Sequence, residues 1–462
     1  MSTPFLAIAL LLFLAVGMSA GRSILSREDY FVAGRRGSVF AIAGSLFATI
    51  VGGSATIGVA GLVYQRGLTG VWWSLVGVLG LAVLAFVFVA RIRAYRVYTL
   101  PGLVERLYGR SVSILVAALV VVAWTGVVSG QIVAAARVFG AAGIADTSMW
   151  MVAFSAVLIL YAIVGGQRAI LRTDALQTCL IIVGLSMAVG ALLLQVGISP
   201  GLAAQLRAEA LRFPVSEEFG WFALVKMVVL VGSVYVVGPD IYTRVFSARD
   251  TRTARTAVLW AAVVAVPAAL LVATLGLSAR VLASGISPEE ALPWLMSTVL
   301  PTGTGAVLFV ALVAALMSSA DSTLLGQGIV LAQDVIGRLK ILGEKQAVYI
   351  SRICVAALGL LALVLALSLR GVIDSLMFAY SIFTSGVVGP VLVGLLAREG
   401  WRPGSRAAFA GVGIGGACGL LGTIPCVLLP GKSVLPLLGF GLSMAVPLAV
   451  VALHRASERR EA

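Results

Sequence analysis

The sequence has very little of the side-chain chemistry on which most enzymes depend. It contains one histidine, His454, and four cysteines in 462 residues. The cysteines have neither metal-ligand spacing nor a CxxC arrangement, so a zinc site or a His-based catalytic triad has little to be built from. The chain also lacks a GxxxxGK phosphate-binding loop. These absences argue against a metalloenzyme and against a protein that hydrolyses its own nucleotide.

Charged residues are scarce as well. They make up 11% of the chain, whereas soluble domains average about 25%, and hydrophobic residues make up 60%. The mean hydropathy is +1.09, and apolar runs of about 18 residues or more recur along the chain. No polar gap is long enough for a soluble domain. The composition therefore predicts an all-α polytopic membrane protein, with residues 1–462 forming a single transmembrane domain.

The apolar runs predict thirteen transmembrane helices. The first lacks the basic residues of a secretory signal, so we expect it to be a retained helix. The predicted spans are 4–20, 38–63, 69–92, 112–140, 148–165, 171–196, 219–238, 256–279, 303–333, 348–369, 373–396, 405–428 and 433–453.

The net charge of +14 is distributed according to membrane topology. Of the 33 basic residues, 25 fall in the odd-numbered connections and the C-terminal tail, and seven fall in the even-numbered ones. The remaining one, Lys226, lies within a predicted helix. By the positive-inside rule, we expect a multi-pass protein of the inner or plasma membrane with its N-terminus outside and its C-terminus in the cytoplasm. The basic charge then serves orientation in the lipid bilayer, and nucleic acid is not an expected partner.

One apolar segment carries an unusual cluster of oxygen atoms. The stretch ALVAALMSSADSTLLGQG, residues 311–328, places Ser318, Ser319, Asp321 and Ser322 within five positions. Small hydroxyl residues alone could mark a close helix contact, but a carboxylate inside a membrane helix usually faces an ion, a path or a partner. Hard oxygen ligands with one negative charge suit a small hard cation such as Na⁺.

Two other segments are interrupted by glycine. Gly52, Gly53 and Ser54 lie near the middle of the second predicted helix, and Gly238-Pro239 ends the seventh. Broken helices at corresponding positions are typical of transporters built from inverted repeats. The spacing predicts a first repeat over 38–196 and a second over 219–396. One extra helix would precede them within residues 1–30, and two would follow within 405–453.

Four segments resemble a known family. They are DYFVAGRRGSVFAIAGSLFATIVGGSATIGVAGLVYQRGL, YTLPGLVERLYG, GPDIYTRVFSARD and AALMSSADSTLL…AQDVIG. In this order they are similar to the sodium:solute symporter family, which includes sodium/galactose, sodium/proline and sialic acid symporters. The similarity runs from about Asp29 to Arg402 and implies a leucine-transporter-type fold with Na⁺ as the coupling ion.

The resemblance also implies ion ligands. Those of the main sodium site would be the backbone carbonyls of Ala48, Val51 and Ala315 and the hydroxyls of Ser318 and Ser319. Some family members bind a second sodium ion, whose ligands would be Asp174, Ser318, Asp321 and Ser322. For Asp174 an ion pair with Arg168 or Arg172 is the alternative.

Solute contacts are expected from the broken helices and their neighbours. The candidates are Gly52, Ser54, Trp73, Ser74, Thr125, Gln131, Tyr235, Ser381 and Ser385. The polar residues that sodium/galactose members place around the sugar have no counterpart in this region. We therefore expect an amino acid, a carboxylate or a vitamin rather than a sugar.

The expected activity is secondary active transport rather than catalysis. The resemblance implies sodium-coupled symport of a small organic solute by alternating access, with Tyr235 as a possible gate. Two alternatives stay open. One is a proton-coupled symporter of the same fold, in which Asp174 or Asp321 titrates, and the other is a membrane solute sensor that acts through a separate partner.

Overall fold

The structure is a computed structural model. It describes Ala15 and residues 26–143, 147–196, 208–339, 342–368, 371–397, 403–423 and 432–461. Within these ranges the chain is helical, and its one β-type contact is an isolated bridge between Gly37 and Ala248. The helix predicted over 4–20 lies, apart from Ala15, outside the described residues.

The described part contains α-helices that are linked in several places by π or 3₁₀ turns. In chain order the α-helices are α1 (Arg27–Val32), α2 (Val39–Ile50), α3 (Val59–Arg66), α4 (Trp72–Val83), α5 (Val89–Ala94), α6 (Leu100–Tyr108), α7 (Arg110–Ala141), α8 (Thr147–Val196), α9 (Trp221–Met227), α10 (Ser233–Val237), α11 (Pro239–Ser247), α12 (Thr251–Leu282), α13 (Ala291–Trp294), α14 (Thr302–Val330), α15 (Gly337–Leu339), α16 (Glu344–Ser368), α17 (Val372–Phe383), α18 (Gly389–Leu396), α19 (Ser405–Thr423) and α20 (Leu435–Glu461).

Nine helical stretches in the described ranges are long and apolar enough to cross a membrane. The longest is α8, where two separate helices were predicted. A kink at Gly166, with φ 56° and ψ −174°, divides it. A Cβ at Gly166 would lie 2.6 Å from the ring of Tyr30, so both the backbone angle and the packing require glycine there. The protein is thus a multi-pass helical membrane protein, while the count of thirteen crossings and the orientation of the termini stay predictions.

The centre of the molecule is α14. Every residue from Ala311 to Val330 is buried, including the polar ones. It packs against α2, α7, α8 and α16. The serines and Asp321 of this helix therefore lie inside the protein and do not face lipid.

The first glycine-rich helix is broken where it meets α14. Helix α2 begins after Ser38, whose hydroxyl accepts a hydrogen bond from the Ala41 amide. It ends at Ile50, because Val51 has φ −93° and ψ 51°, and the chain resumes as a π turn over Ser54–Gly58 before α3. A Cβ at Gly52 would lie 2.1 Å from the Ser319 hydroxyl oxygen. Glycine therefore allows the broken segment to approach α14 closely.

The second glycine-interrupted helix is also irregular. A π turn over Val228–Gly232 separates α9 from α10, and Gly238 leaves the helical region with ψ 131°. Pro239 then begins α11, a position at which its missing N–H costs nothing. The two irregularities lie where the glycine pattern predicted them. The inverted-repeat relation between residues 38–196 and 219–396 stays a prediction.

Candidate functional site

Oxygen atoms of the broken helix meet the serines of α14. The Ser318 hydroxyl donates to the carbonyl of Ala48 at 2.7 Å and to that of Ala315 at 3.0 Å. The Ser319 hydroxyl donates to the carbonyl of Thr49 at 2.6 Å. Two hydroxyls and three carbonyls thus converge in a buried region between α2 and α14. Neutral hard oxygens of this kind are the ligands that Na⁺ prefers.

The break explains why these carbonyls are accessible. In a continuous helix the N–H of Gly53 would bond to the Thr49 carbonyl, but it donates to the Gln131 side chain at 2.8 Å. The Thr49 carbonyl then receives Ser319, and the Ala48 carbonyl receives Ser318. Of the five ligands implied by the resemblance, the structure brings together Ala48, Ala315, Ser318 and Ser319. Val51 lies at the same bend, but the carbonyl that Ser319 contacts belongs to Thr49.

A buried ionic cluster lies one helical turn along α14 from the serines. The Arg244 guanidinium contacts the Ser322 hydroxyl, the Ser45 hydroxyl at 2.9 Å and the Asp174 carboxylate at 3.4 Å. Asp321 accepts a hydrogen bond from Ser322 at 3.1 Å. The side chains of Asp174 and Arg244 are completely buried. The residues implied for a second sodium site therefore do come together, with an arginine among them.

Sequence reasoning missed Arg244 as a member of this cluster. The predicted helix over 219–238 ends before Arg244, which places this residue in a connection between helices. The chain continues as α11, which carries Arg244 into the interior. The cationic partner of Asp174 is Arg244, and not Arg168 or Arg172 as expected. Arg168 contacts Asp29 at 3.5 Å.

The cluster contains more acidic than basic groups. Two buried carboxylates face one guanidinium, and Asp174 Oδ1 and Asp321 Oδ2 have no hydrogen-bond partner in the described structure. An uncompensated charge in a dry interior is costly. These two oxygens could therefore take a further cation or a proton.

A small cavity lies beside the broken helix. Its volume is about 30 Å³, which is enough for water but not for an organic solute. Three of the predicted solute contacts, Ser54, Gln131 and Tyr235, line it. The other lining residues are Thr49, Ile50, Trp124, Val127, Val234, Asp240, Ile241, Ser319, Thr323, Leu376 and Tyr380.

Tyr235 lines this cavity and also a second, smaller one, as does Ile50. The second cavity is lined by Ser74, Gly77 and Tyr235, among others. A Cβ at Gly77 would lie 2.9 Å from the tyrosine ring, so glycine makes room for it. Trp73 stacks on Tyr380 with ring centroids 6.1 Å apart. Trp73, Ser74 and Gly52 thus lie around the site, while Ser54, Gln131 and Tyr235 line the main cavity.

Three predicted solute contacts, Thr125, Ser381 and Ser385, line neither of these cavities. Thr125 donates to Gln327 at 3.1 Å, and its neighbour Trp124 lines the cavity in its place. Ser385 donates to the Ser381 carbonyl at 2.6 Å and to the Pro436 carbonyl at 2.8 Å. The Ser381 carbonyl also lies against Gly419 of α19. Successive residues point about 100° apart around a helix, so an error of one position moves a side chain off the site.

Comparison with known proteins identifies the family. The model of the sodium:solute symporter family matches residues 30–415, which is most of the chain. The chain belongs to this family. The activity of this symporter is accordingly sodium-coupled transport of a small solute, with Na⁺ as the coupling ion, and the family consists of transporters and not enzymes.

Similar proteins carry different solutes. The symporter is 26% identical over 466 residues to sodium/myo-inositol cotransporter 2 of Mus musculus. This alignment covers 90% of the symporter and 69% of the cotransporter. It is 25% identical over 467 residues to the osmoregulated proline transporter OpuE of Bacillus subtilis (strain 168), with 96% and 93% covered.

Solved structures show the same fold. The substrate-bound, outward-open structure of a Na⁺-coupled sialic acid symporter matches with a TM-score of 0.82, 16% identity and 97% of both chains covered. Mhp1, a nucleobase-cation-symport-1 family transporter, matches with a TM-score of 0.57, 15% identity, and 91% of this chain and 92% of that one covered.

Proposed function

We propose that the protein couples the entry of Na⁺ to the uptake of a small organic solute by alternating access. The observation that carries the proposal is the meeting of the α2 break with α14. There the hydroxyls of Ser318 and Ser319 contact the carbonyls of Ala48 and Thr49. An ion that joins these atoms joins the two helices as well. Val51 stays a proposed ligand, because its carbonyl lies at the same bend.

Opening of the site is required for solute entry. The cavity of about 30 Å³ has no room for an organic molecule, so the surrounding helices must separate before one can bind. Tyr235 lines both cavities and is the proposed gate.

Separation of α2 from α14 would also disrupt the ion ligands, which gives Na⁺ different affinities for the closed and the open state of the site. Such a difference is what an ion needs in order to drive a conformational change. One Na⁺ crossing a potential of 100 mV supplies about 2.3 kcal/mol.

The ionic cluster is the proposed second ion site. Its ligands would be Asp174, Asp321 and Ser322, together with Ser318. The two carboxylate oxygens without hydrogen-bond partners support this assignment. The same oxygens would serve a proton in the proton-coupled alternative, so the cluster alone does not distinguish the two ions.

The proposed solute is an amino acid, a carboxylate or a vitamin rather than a sugar. Three aromatic residues, Trp124, Tyr235 and Tyr380, line the cavity together with a few polar groups. Amphipathic rings of this kind suit a small solute with an apolar body.

Transport into proteoliposomes tests the proposed function. The purified protein is first screened for ligands by thermal stabilisation, and uptake of the best ligand is then measured with a sodium gradient or with a pH gradient. The proposal expects uptake only with sodium. Uptake driven equally well by a pH gradient without sodium would favour proton coupling, and sodium-dependent binding without net uptake would favour the sensor.

The variant Asp321→Asn tests the second ion. It removes the charge and keeps the shape of the side chain. If Asp321 serves a second sodium ion, uptake should persist with fewer sodium ions per solute, measured as ²²Na⁺ flux against solute flux. An unchanged ratio of sodium flux to solute flux would show that Asp321 takes no part in ion coupling.

A further inference from the structure

One charged residue lines the cavity beside the broken helix. Asp240, in the first turn of α11, is partly exposed there, and the other lining residues of the described structure are polar, aromatic or aliphatic and uncharged at neutral pH. The cavity wall therefore carries one carboxyl group and no cationic side chain. A solute that binds there meets this group at close range in a region of low dielectric, where charges interact strongly.

The carboxylate of Asp240 forms no close ion pair. The Arg244 guanidinium interacts with it electrostatically, and the Trp124 side chain and the N–H of Ile241 are the donors on its other sides. Arg244 lies one turn further along α11, but it contacts the backbone carbonyl of Asp240 at 2.9 Å, and the rest of its guanidinium faces Ser45, Ser322 and Asp174. No ion pair within 4.0 Å joins the Asp240 carboxylate to an arginine or lysine of the described residues.

A structural role accounts for only part of this arrangement. An aspartate in the first turn of a helix interacts favourably with the helix dipole, and that would suffice for a residue facing solvent. Asp240 instead faces an interior cavity, where a carboxylate is costly when the nearest guanidinium, that of Arg244, is engaged by Asp174. A cationic group on the solute would supply the missing charge.

A bound Na⁺ would supply positive charge at another part of the same cavity wall. Thr49 and Ser319 line the cavity. At the proposed ion site the Thr49 carbonyl accepts a hydrogen bond from the Ser319 hydroxyl. A bound Na⁺ would therefore place positive charge beside the cavity, while Asp240 places negative charge there. Trp124, Tyr235 and Tyr380 add aromatic rings, whose faces attract ammonium groups.

We propose that Asp240 is the subsite for the ammonium group of the solute, and that the solute is a small zwitterion. Its amine, secondary amine or quaternary ammonium would face Asp240 and the aromatic rings, and its carboxylate would face the bound Na⁺. This assignment rests on the proposed sodium-coupled transport. It excludes carboxylates without an amine, because their charge would meet the Asp240 carboxylate, and it disfavours polyols and sugars, which leave the charge uncompensated.

Pairs of ligands that differ only in the charged nitrogen test the assignment. The pairs are L-proline and cyclopentanecarboxylate, L-alanine and isobutyrate, and glycine betaine and 3,3-dimethylbutanoate. Thermal stabilisation of the purified protein is measured in Na⁺ and in K⁺ with these ligands, the other common amino acids and myo-inositol. The expected result is stabilisation in Na⁺ by at least one zwitterion and by no amine-free carboxylate. Stabilisation by myo-inositol alone, or by no zwitterion at all, would overturn the proposal.

The variant Asp240→Asn then separates recognition from structure. Loss of a charge-assisted contact should weaken zwitterion binding about ten- to hundredfold, while affinity for Na⁺ stays within about twofold, which also shows that the variant is folded. The preference for the zwitterion over its amine-free counterpart should largely disappear. If Asp240 is only structural, both members of the pair lose affinity equally, or Na⁺ affinity falls as well, and the proposal is wrong.

The same measurements keep the two proposals apart. Zwitterion binding that is equal in Na⁺ and K⁺ would support the Asp240 subsite and argue against sodium coupling. Sodium-dependent binding of myo-inositol, with no binding of any zwitterion, would support sodium coupling and argue against the subsite.

Discussion

The hydroxyl of Ser319 donates a hydrogen bond to the carbonyl of Thr49 at 2.6 Å, although the two residues lie 270 positions apart in the chain. The bond crosses from α14 to the last turn of α2, next to the point where α2 breaks. It is possible because Gly53 directs its N–H to Gln131 and away from Thr49. A polar contact between two interior helices thus depends on an irregular backbone, and this dependence can be tested at several residues.

Replacement of Gly52 by alanine should disrupt this contact. The added Cβ would lie 2.1 Å from the Ser319 hydroxyl oxygen and 2.7 Å from its Cβ, so the broken segment and α14 would have to separate. We expect Gly52→Ala to weaken sodium affinity more than tenfold and to lower the melting temperature. Sodium titrations of the thermal stability of the purified protein measure both effects.

The matched control is Gly326→Ala in the same helix as Ser319. A Cβ at Gly326 meets nothing within 4 Å, and alanine favours a helix over glycine by up to about 1 kcal/mol. This variant should keep its sodium affinity and be at least as stable as the parent. Equal behaviour of the two glycine variants would argue against a close contact at Gly52.

Removal of the Arg244 charge should destabilise the protein strongly. The Arg244→Gln variant leaves Asp174 and Asp321 buried without a counter-charge, and breaking a buried ion pair from one side costs about 3–5 kcal/mol. The double variant Arg244→Gln, Asp174→Asn removes one charge of each sign and should recover much of the loss. Thermal unfolding in detergent compares the three proteins. A single variant as stable as the parent would show that the guanidinium does not compensate these carboxylates.

Glu289 should make stability depend on pH. Its carboxylate accepts hydrogen bonds from the amides of Val372 at 2.6 Å and Ile373 at 3.4 Å, and Arg137 lies 3.7 Å away. Burial nevertheless raises the pKa of Glu289 above its ordinary value of 4.5. A raised pKa means that the stabilising contribution is fully present below pH 4.5 and is lost as the pH rises through the folded-state pKa.

The Glu289→Gln variant removes this titration and keeps a hydrogen-bond acceptor for Val372. Relative to this variant, the parent should therefore lose stability as the pH is raised above 4.5, which melting temperatures between pH 4 and pH 8 will show. Glu217→Gln is the control, because that side chain is 83% exposed and should not change the curve. A constant difference between parent and Glu289→Gln would contradict the prediction.

The charge pattern of the loops makes a prediction about topology. A reporter that is active only in the cytoplasm should be active after Ala462 and inactive before Ser2, because 25 of the 33 basic residues lie on one predicted side. Activity at both ends would imply an even number of crossings, and the reverse pattern would invert the orientation.

The helices and the serine pair could be predicted because their signals are local. Apolar runs of sufficient length predict membrane helices, and five oxygen-bearing side chains between Ser318 and Thr323 stand out in such a run. Gly52-Gly53 and Gly238-Pro239 predicted the irregular backbone at these two places. In each case the free energy that decides the structure comes from residues close together in the sequence.

The ionic cluster and the cavity wall could not be predicted in the same way. Arg244 and Asp174 lie 70 positions apart, and their pairing depends on how α8 and α11 pack. Asp240 and Trp124 line the cavity only because of the rotation of their helices, which neighbouring helices set. For the same reason Thr125, Ser381 and Ser385 were predicted as solute contacts but line neither cavity.

The affinity for sodium of three serine-to-alanine variants tests the account most directly. Ser318→Ala and Ser319→Ala each remove one proposed hydroxyl ligand, and Ser351→Ala removes a buried hydroxyl that bonds to the Ala347 carbonyl of its own helix at 2.8 Å. Loss of one such ligand should cost about 1–3 kcal/mol, so sodium titrations should show roughly five- to hundredfold weaker binding for the first two variants. Ser351→Ala should bind sodium like the parent. If all four proteins have the same sodium affinity, the oxygens between α2 and α14 are packing groups and Na⁺ binds elsewhere.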